Sequence, residues 1–382
     1  MKRRLASRIG VFLLVFLYWP EAPAQPVKSQ LYVNNGVDTA NVEIVAAIRL
    51  WENYLSSRPD SIYDNPYWSQ VDKSRYKYFD LLRSAFSPNL YALAAGYKPT
   101  VLSVSETEGG WIVRTLFSAV IKSGFANPLA ITNVLARREH GALRLCNILP
   151  HNAHQWQRRQ VGSITFWCPP AHEFDEMKAH QMNRFTDSLA TLFDVPIIPV
   201  DYYFADDIAT VQRLRGLDFV MGEGNTRQTS GFADVGNRIV YSGSGSEWYP
   251  HEFVHLYANP LFPNAHGYFL EGLAALLGGS RDRPLSFHIK RAHEYLQEHP
   301  EIDLNNFFEF WYLDNLTNPT YVFGGLLCHL ANEQGGMTLI KQLLSYGGTN
   351  DDFYRAVAEV FGVQRDDLNT FLRTTMAEYV GR

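Results

Sequence analysis

The segment YPHEFVHLYANP, residues 249–260, sets two histidines four residues apart with a glutamate directly after the first. On a helix of 3.6 residues per turn, positions i and i+4 share a face, so His251 and His255 can aim imidazole nitrogens at one point in space, with Glu252 beside them. The segment therefore has to fold as a helix if the three residues are to act together. Two neutral imidazoles suit a divalent metal, and a carboxylate next to the open position is placed to take a proton from a water there. A third ligand is still required. The chain breaks at Asn259-Pro260, crosses a loop rich in Pro and Asn, and re-enters a helix at GYFLEGLAALLGG. Glu271 lies in that second helix, sixteen residues after His255, and antiparallel packing of the two helices would bring it to the metal. Cys146, Cys168 and Cys328 have no metal-site spacing, so any metal has to be held by histidines and carboxylates.

Composition narrows the classes. A net charge of -5, with no sustained basic run after the first few residues, gives no electrostatic reason to expect nucleic acid or an anionic membrane surface as a partner. With 46% hydrophobic and 19% charged residues, 382 residues read as an ordered globular protein of two domains. Residues 1–24 read as an export signal: Lys2, Arg3, Arg4 and Arg8, an apolar run over 9–19 too short to span a bilayer, then Ala22-Pro23-Ala24 as a cleavage site. The mature chain then starts near Gln25, works in a bacterial periplasm or outside the cell, and has no stable membrane insertion. That compartment would permit a Cys146–Cys168 bridge, while Cys328, in an apolar helical pattern, reads as a buried thiol.

Apolar positions recur at helical spacing over Val42–Leu55 and again over 76–87, which predicts two N-terminal helices. After Pro99 the texture changes to alternating runs with turn signals at Glu108-Gly109-Gly110 and His140-Gly141, an antiparallel sheet behind helices. A helical start leading into hairpins resembles the α+β domain of nuclear-transport-factor-two-like proteins, and 25–160 is read as an accessory domain. From 161 the plan is strand, helix, strand and a short helix over 208–214, then SGFADVGNRIVYSGSG (230–245) as a hairpin or edge strand leading into the His-Glu helix, with 237–242 as the edge that would pair with an extended substrate. The rest is almost wholly helical. The aromatics of WENYL and YDNPYW read as core packing or a seam, with ligand binding as the rival reading.

HEFVH followed by FLEGLAALL resembles the H-E-x-x-H and E-G-x-A signature of gluzincin metallopeptidases, in particular the peptidase MA-like group. The resemblance covers about 160–380. It implies an α+β class with a thermolysin-like catalytic domain over 161–382, made of an α+β lobe (161–280) and a helical lobe (281–382) with the cleft between them. It implies one Zn²⁺ per chain held by His251, His255 and Glu271, Glu252 as general base, and a peptide or protein substrate. Tyr321 is the candidate donor to the developing oxyanion, with His329 a remote second. Several gluzincins carry, four residues after the glutamate ligand, an acidic residue that orients a metal-bound histidine; here that residue is Ala275, and Asp234 or Glu247 would have to serve instead. The absence of a G-x-M-E-N-like amine-binding motif favours an endopeptidase over an aminopeptidase. The alternative is a catalytically inactive, zinc-containing protein that binds peptide or cell envelope. Oligomeric state is not legible. His266, in the loop between the ligand helices, reads as a solvated loop residue, with a contact to the site as the rival reading.

Overall fold

The computed structural model describes residues 31–57, 65–93, 96–221 and 230–381. The segment read as an export signal lies outside them. No helix of the described residues is long and apolar enough to cross a membrane. The fold is mixed α/β with two sheets, and the chain divides into two compact units: one contains the described residues up to 155 together with 209–221, the other 156–208 and 230–381. The first unit's first stretch ends at 155, and the later segment at 209–221 returns to it.

In the first unit, β1 (Tyr32–Val33) is followed by α1 (Val42–Leu55), which Asn41 caps by accepting from the Glu43 and Ile44 amides. Its apolar face buries Ile44, Ala47, Ile48, Trp51, Tyr54 and Leu55. Trp51, Tyr54 and Trp68 are fully buried, so the aromatic cluster is core. The helix expected over 76–87 does not form. In its place stand α2 (Gln70–Arg75), a 3₁₀ turn (Leu81–Ser84) and α3 (Pro88–Leu93). Tertiary hydrogen bonds override the periodicity: Asn147 accepts from the Leu81 amide and donates to the Phe79 carbonyl, and Asp80 takes the Tyr54 hydroxyl and caps Leu82. Strands β2 (Lys98–Thr107), β3 (Gly110–Val120), β4 (Ala126–Glu139) and β5 (Ala142–Cys146) follow as an antiparallel meander, with β1 parallel to β2 at its edge. The His140-Gly141 turn has positive φ at both residues, the twist that a two-residue hairpin needs. A short helix, α4 (Leu149–Asn152), closes this part.

In the second unit, β6 (Gln157–Val161), β7 (Ile164–Cys168), α5 (Glu176–Phe193) and β8 (Val200–Phe204) come first. The chain then returns to the first unit with α6 (Ile208–Leu214) and β9 (Leu217–Val220), which pairs antiparallel with β4. Back in the second unit, β10 (Gly231–Asp234) and β11 (Ile239–Ser242) complete a mixed sheet of order β10-β11-β8-β7-β6. The strand expected at the edge, β11, is covered on both sides: β8 pairs with it in parallel and β10 antiparallel. Among the described residues, β10 is the outer strand on the β11 side and β6 the outer strand at the other edge.

Helices α7 (Pro250–Leu261), α8 (Gly267–Gly278), α9 (Leu285–Glu298), α10 (Pro319–Leu344), α11 (Asn350–Phe361) and α12 (Leu368–Gly381) complete the unit. α10 is two helices joined at Gly336, whose positive φ breaks the ladder. Sheet and helices share one core, in which Phe166, Tyr202 and Val240 meet Phe253 and Met182. α8 and α10 pack backbone to backbone: a Cβ on Gly272 would overlap the main chain at Gly324, so the glycine of E-G-x-A is what lets α10 come this close. All three cysteines are free thiols. Cys146 and Cys168 belong to different units and are not bridged, and burial pushes them up to about 12 and about 11.

Candidate metal centre

α7 starts at Pro250, a residue suited to the first helical position, where an N–H would find no partner inside the helix. One and five residues later come His251 and His255, on the same buried face. α8 runs alongside and brings Glu271 to them. Glu271 Oε2 lies 3.2 Å from His251 Nε2 and 3.6 Å from His255 Nε2, and the three ligand atoms fall within 4.8 Å of one another. The histidines are buried, whereas the Glu271 side chain is 37% exposed. Among the described residues this is the group of three or more His, Cys, Asp or Glu side chains placed to hold a metal ion.

The outward-facing nitrogens decide the tautomer. His251 Nδ1 lies 2.6 Å from the Gly279 carbonyl oxygen, and His255 Nδ1 lies 3.3 Å from Asn259 Oδ1. Both oxygens accept, so each Nδ1 can keep its proton, which would leave each Nε2 lone pair for a metal at the convergence point. That is the form in which imidazole binds a metal, and two such nitrogens with one carboxylate oxygen and an open side fit a catalytic zinc donor set. Without a metal, His255 and Glu271 settle as an ion pair. Burial works against a charged His255, but Glu271 outweighs it and pushes the imidazole up to about 9. Burial likewise works against the Glu271 carboxylate, and the two imidazoles outweigh it, holding that group well below the ordinary carboxylate range.

Glu252 is 8% exposed. Burial raises its carboxyl above the ordinary range; the two imidazoles pull it down and Glu271 pushes it up further. The Ala233 amide of β10 donates to it, which ties the outer strand to this side chain. Tyr321, in the first turn of α10, stacks edge-on against His251 with ring centroids 5.6 Å apart. Its hydroxyl is kept protonated far above its usual range by burial and by Glu271 and Glu252, against the pull of Arg281. It is thus neutral, with the Ser280 side chain as a hydrogen-bond partner.

The remaining candidates lie elsewhere. His329 packs edge-on against Tyr379 and faces Glu333, so it is no second donor here. His266 is buried and caps α8: its Nδ1 accepts from the Tyr268 amide, and Phe308 and Phe353 flank the ring. It neither lies in solvent nor faces the metal point. Glu247 accepts from His172 and from the Asp175 amide, and Asp234 accepts from Asn237. The acceptors that face the two imidazoles are Asn259 and Gly279. Asn259 was open to discovery by counting one more turn along the helix from His255. A backbone carbonyl leaves no mark in a sequence.

No protein-family model and no curated protein matches the sequence. Among solved structures, an M1 zinc metallopeptidase from Deinococcus radiodurans is 14% identical, with a TM-score of 0.29 over 74% of this chain and 62% of its own. A point mutant of that enzyme gives 13% and 0.28 over 75% and 62%, and a two-domain M1 zinc metallopeptidase mutant bound to L-arginine gives 13% and 0.27 over 74% and 62%. This chain spans 62% of the length of each of the three. At these TM-scores the overlay carries no argument, and the chemistry has to be read from the site itself.

Proposed function

We propose that the chain is an exported zinc-dependent peptidase with a gluzincin-like, thermolysin-like second unit. The observation that carries this reading is the convergence of His251 Nε2, His255 Nε2 and a Glu271 carboxylate oxygen on one point, with the buried Glu252 adjacent in sequence to His251. His251, His255 and Glu271 would hold the zinc, which when bound supplies Lewis acidity towards water and the scissile carbonyl.

The other steps belong to the chain. Glu252 accepts a proton from the attacking water and passes it to the leaving amine; burial keeps its carboxyl closer to neutrality than an exposed glutamate, which suits a group that must both take and release a proton. The Ala233 amide holds one face of that carboxylate so that it stays turned to the site. Tyr321 donates its hydroxyl proton to the oxygen where charge develops. An extended substrate would add to β10, the outer strand, by main-chain hydrogen bonds, in place of the inner strand over 237–242. Such pairing needs no free substrate terminus and agrees with an endopeptidase.

Incubation of the purified mature chain with a mixed peptide library, analysed by mass spectrometry, tests this. Wild type should yield internal cleavages; Glu252→Gln should retain zinc and lose cleavage by at least about 10²-fold, the usual worth of positioned acid–base catalysis. Cleavage by Glu252→Gln at the wild-type rate would sink the mechanism. Zinc in both proteins without any cleavage would favour the alternative of an inactive zinc-containing binding protein.

A further inference from the structure

The two imidazoles differ in what holds them. Ala275, four residues after Glu271, is apolar and fully buried, and the nearby carboxylates of Asp234 and Glu247 serve other partners. Both outer acceptors are therefore uncharged. The Gly279 carbonyl is fixed by main chain: Gly279 adopts φ 72° and ψ −171°, a conformation reserved for glycine. The next residues close a two-residue turn in which the Ser280 and Arg283 amides each donate to the other's carbonyl at 2.9 Å, with Arg281 and Asp282 both at positive φ. His288 Nε2 then holds the Ser280 carbonyl at 3.0 Å. His251 thus leans on a part of the fold that side-chain substitution does not adjust.

His255 leans on a side chain. Asn259 lies one turn on along α7, so its amide oxygen sits under the ring of His255. We infer that Asn259 is a positioning residue that sets how tightly this site holds its metal, by keeping Nδ1–H of His255 engaged and Nε2 aimed at the convergence point. An amide oxygen fixes the ring and its tautomer while adding no negative charge. A carboxylate in its place would fix the ring equally and make the imidazole more basic, so the metal would be held more tightly. An aliphatic side chain would leave Nδ1–H without its acceptor and free the ring to turn. The inference rests on His251, His255 and Glu271 being metal ligands, and is independent of whether the bound site cleaves peptides.

The test is zinc affinity of the full mature chain, by competition with a chromophoric chelator, for wild type, Asn259→Leu and Asn259→Asp, together with the melting temperature of each metal-free protein. We expect Asn259→Leu to bind zinc about 10- to 100-fold more weakly, the usual cost of losing an outer partner of a metal-bound histidine. Asn259→Asp should bind at least as tightly as wild type, and the metal-free proteins should melt together. Asn259→Leu at wild-type affinity would overturn the inference. So would equal weakening in Asn259→Leu and Asn259→Asp, or a weakening matched by a fall in metal-free melting, since either marks a packing role. A wild-type chain that binds no zinc would overturn the metal reading, and the inference with it.

Discussion

Gly278, the last residue of α8, faces the start of α7. A Cβ there would lie 2.7 Å from the His251 amide nitrogen and 2.9 Å from both His251 Cα and the Pro250 carbonyl carbon. All three are main-chain atoms, so no rotamer change relieves the overlap. Ordinary van der Waals contact lies near 3.5 Å, so Gly278→Ala requires the two helices to part by more than about 0.5 Å, directly under a metal ligand. Two effects compete. Alanine gains up to about 1 kcal/mol over glycine in helix propensity, less at a helix end, and overpacking against rigid backbone costs about 1–3 kcal/mol. Overpacking wins, by about 1–2 kcal/mol. For a unit of this size that lowers the melting temperature by about 2–8 °C. A shift of about 0.5 Å is also the tolerance within which such a site has to be held, so zinc affinity falls as well. Differential scanning calorimetry of the metal-free protein, followed by chelator competition, reads both. If Gly278→Ala melts at or above wild type and binds zinc as tightly, the helices are not in contact at His251 and the geometry argued here is wrong.

Other consequences are open to measurement. His266 caps α8 with an unprotonated Nδ1 and burial lowers its pKa below 6.5; the unfolded chain therefore binds its proton first as pH falls, and stability is lost below about pH 6.5. Melting curves from pH 7.5 to 5 should show that loss, worth about 1 kcal/mol for a cap, and His266→Asn, which also caps, should flatten it. In the first unit, burial pushes the Asp72 carboxyl from 3.8 to about 6, so the folded chain keeps this proton to higher pH than the unfolded chain. The resulting cost grows between about pH 4 and 6 and persists above, with about 3 kcal/mol as its upper bound. Asp72→Asn keeps an acceptor for the Asn147 amide and should raise denaturant stability at pH 7.5 while leaving it little changed at pH 4; equal stability at pH 7.5 would show that Asp72 carries no such cost.

What the sequence discloses follows from the range of the interactions involved. α1 and the metal-ligand helices were legible because their apolar faces and the i, i+4 spacing of His251 and His255 are local periodicities. The hairpin turn at His140-Gly141 was legible because the turn demands its residues. The 76–87 segment carries the same helical period, yet Asn147, distant in sequence, takes its backbone groups. The return of 209–221 to the first unit depends on β9 pairing with β4 far back in the chain, which no local pattern records, whereas β10 and β11 form a local hairpin within the stretch where a hairpin was one of the two readings. Ala275 looked like a missing partner. The two imidazoles meet other acceptors instead, Asn259 on the same helix and the Gly279 main chain.

The central claim is that His251, His255 and Glu271 hold a zinc ion, and elemental analysis addresses it most directly. The chain from Gln25 onward and its His255→Ala variant would be prepared identically, supplied with zinc and freed of excess. The account predicts about one zinc per wild-type chain and little in the variant. Equal zinc in the two proteins, or none in either, would contradict it.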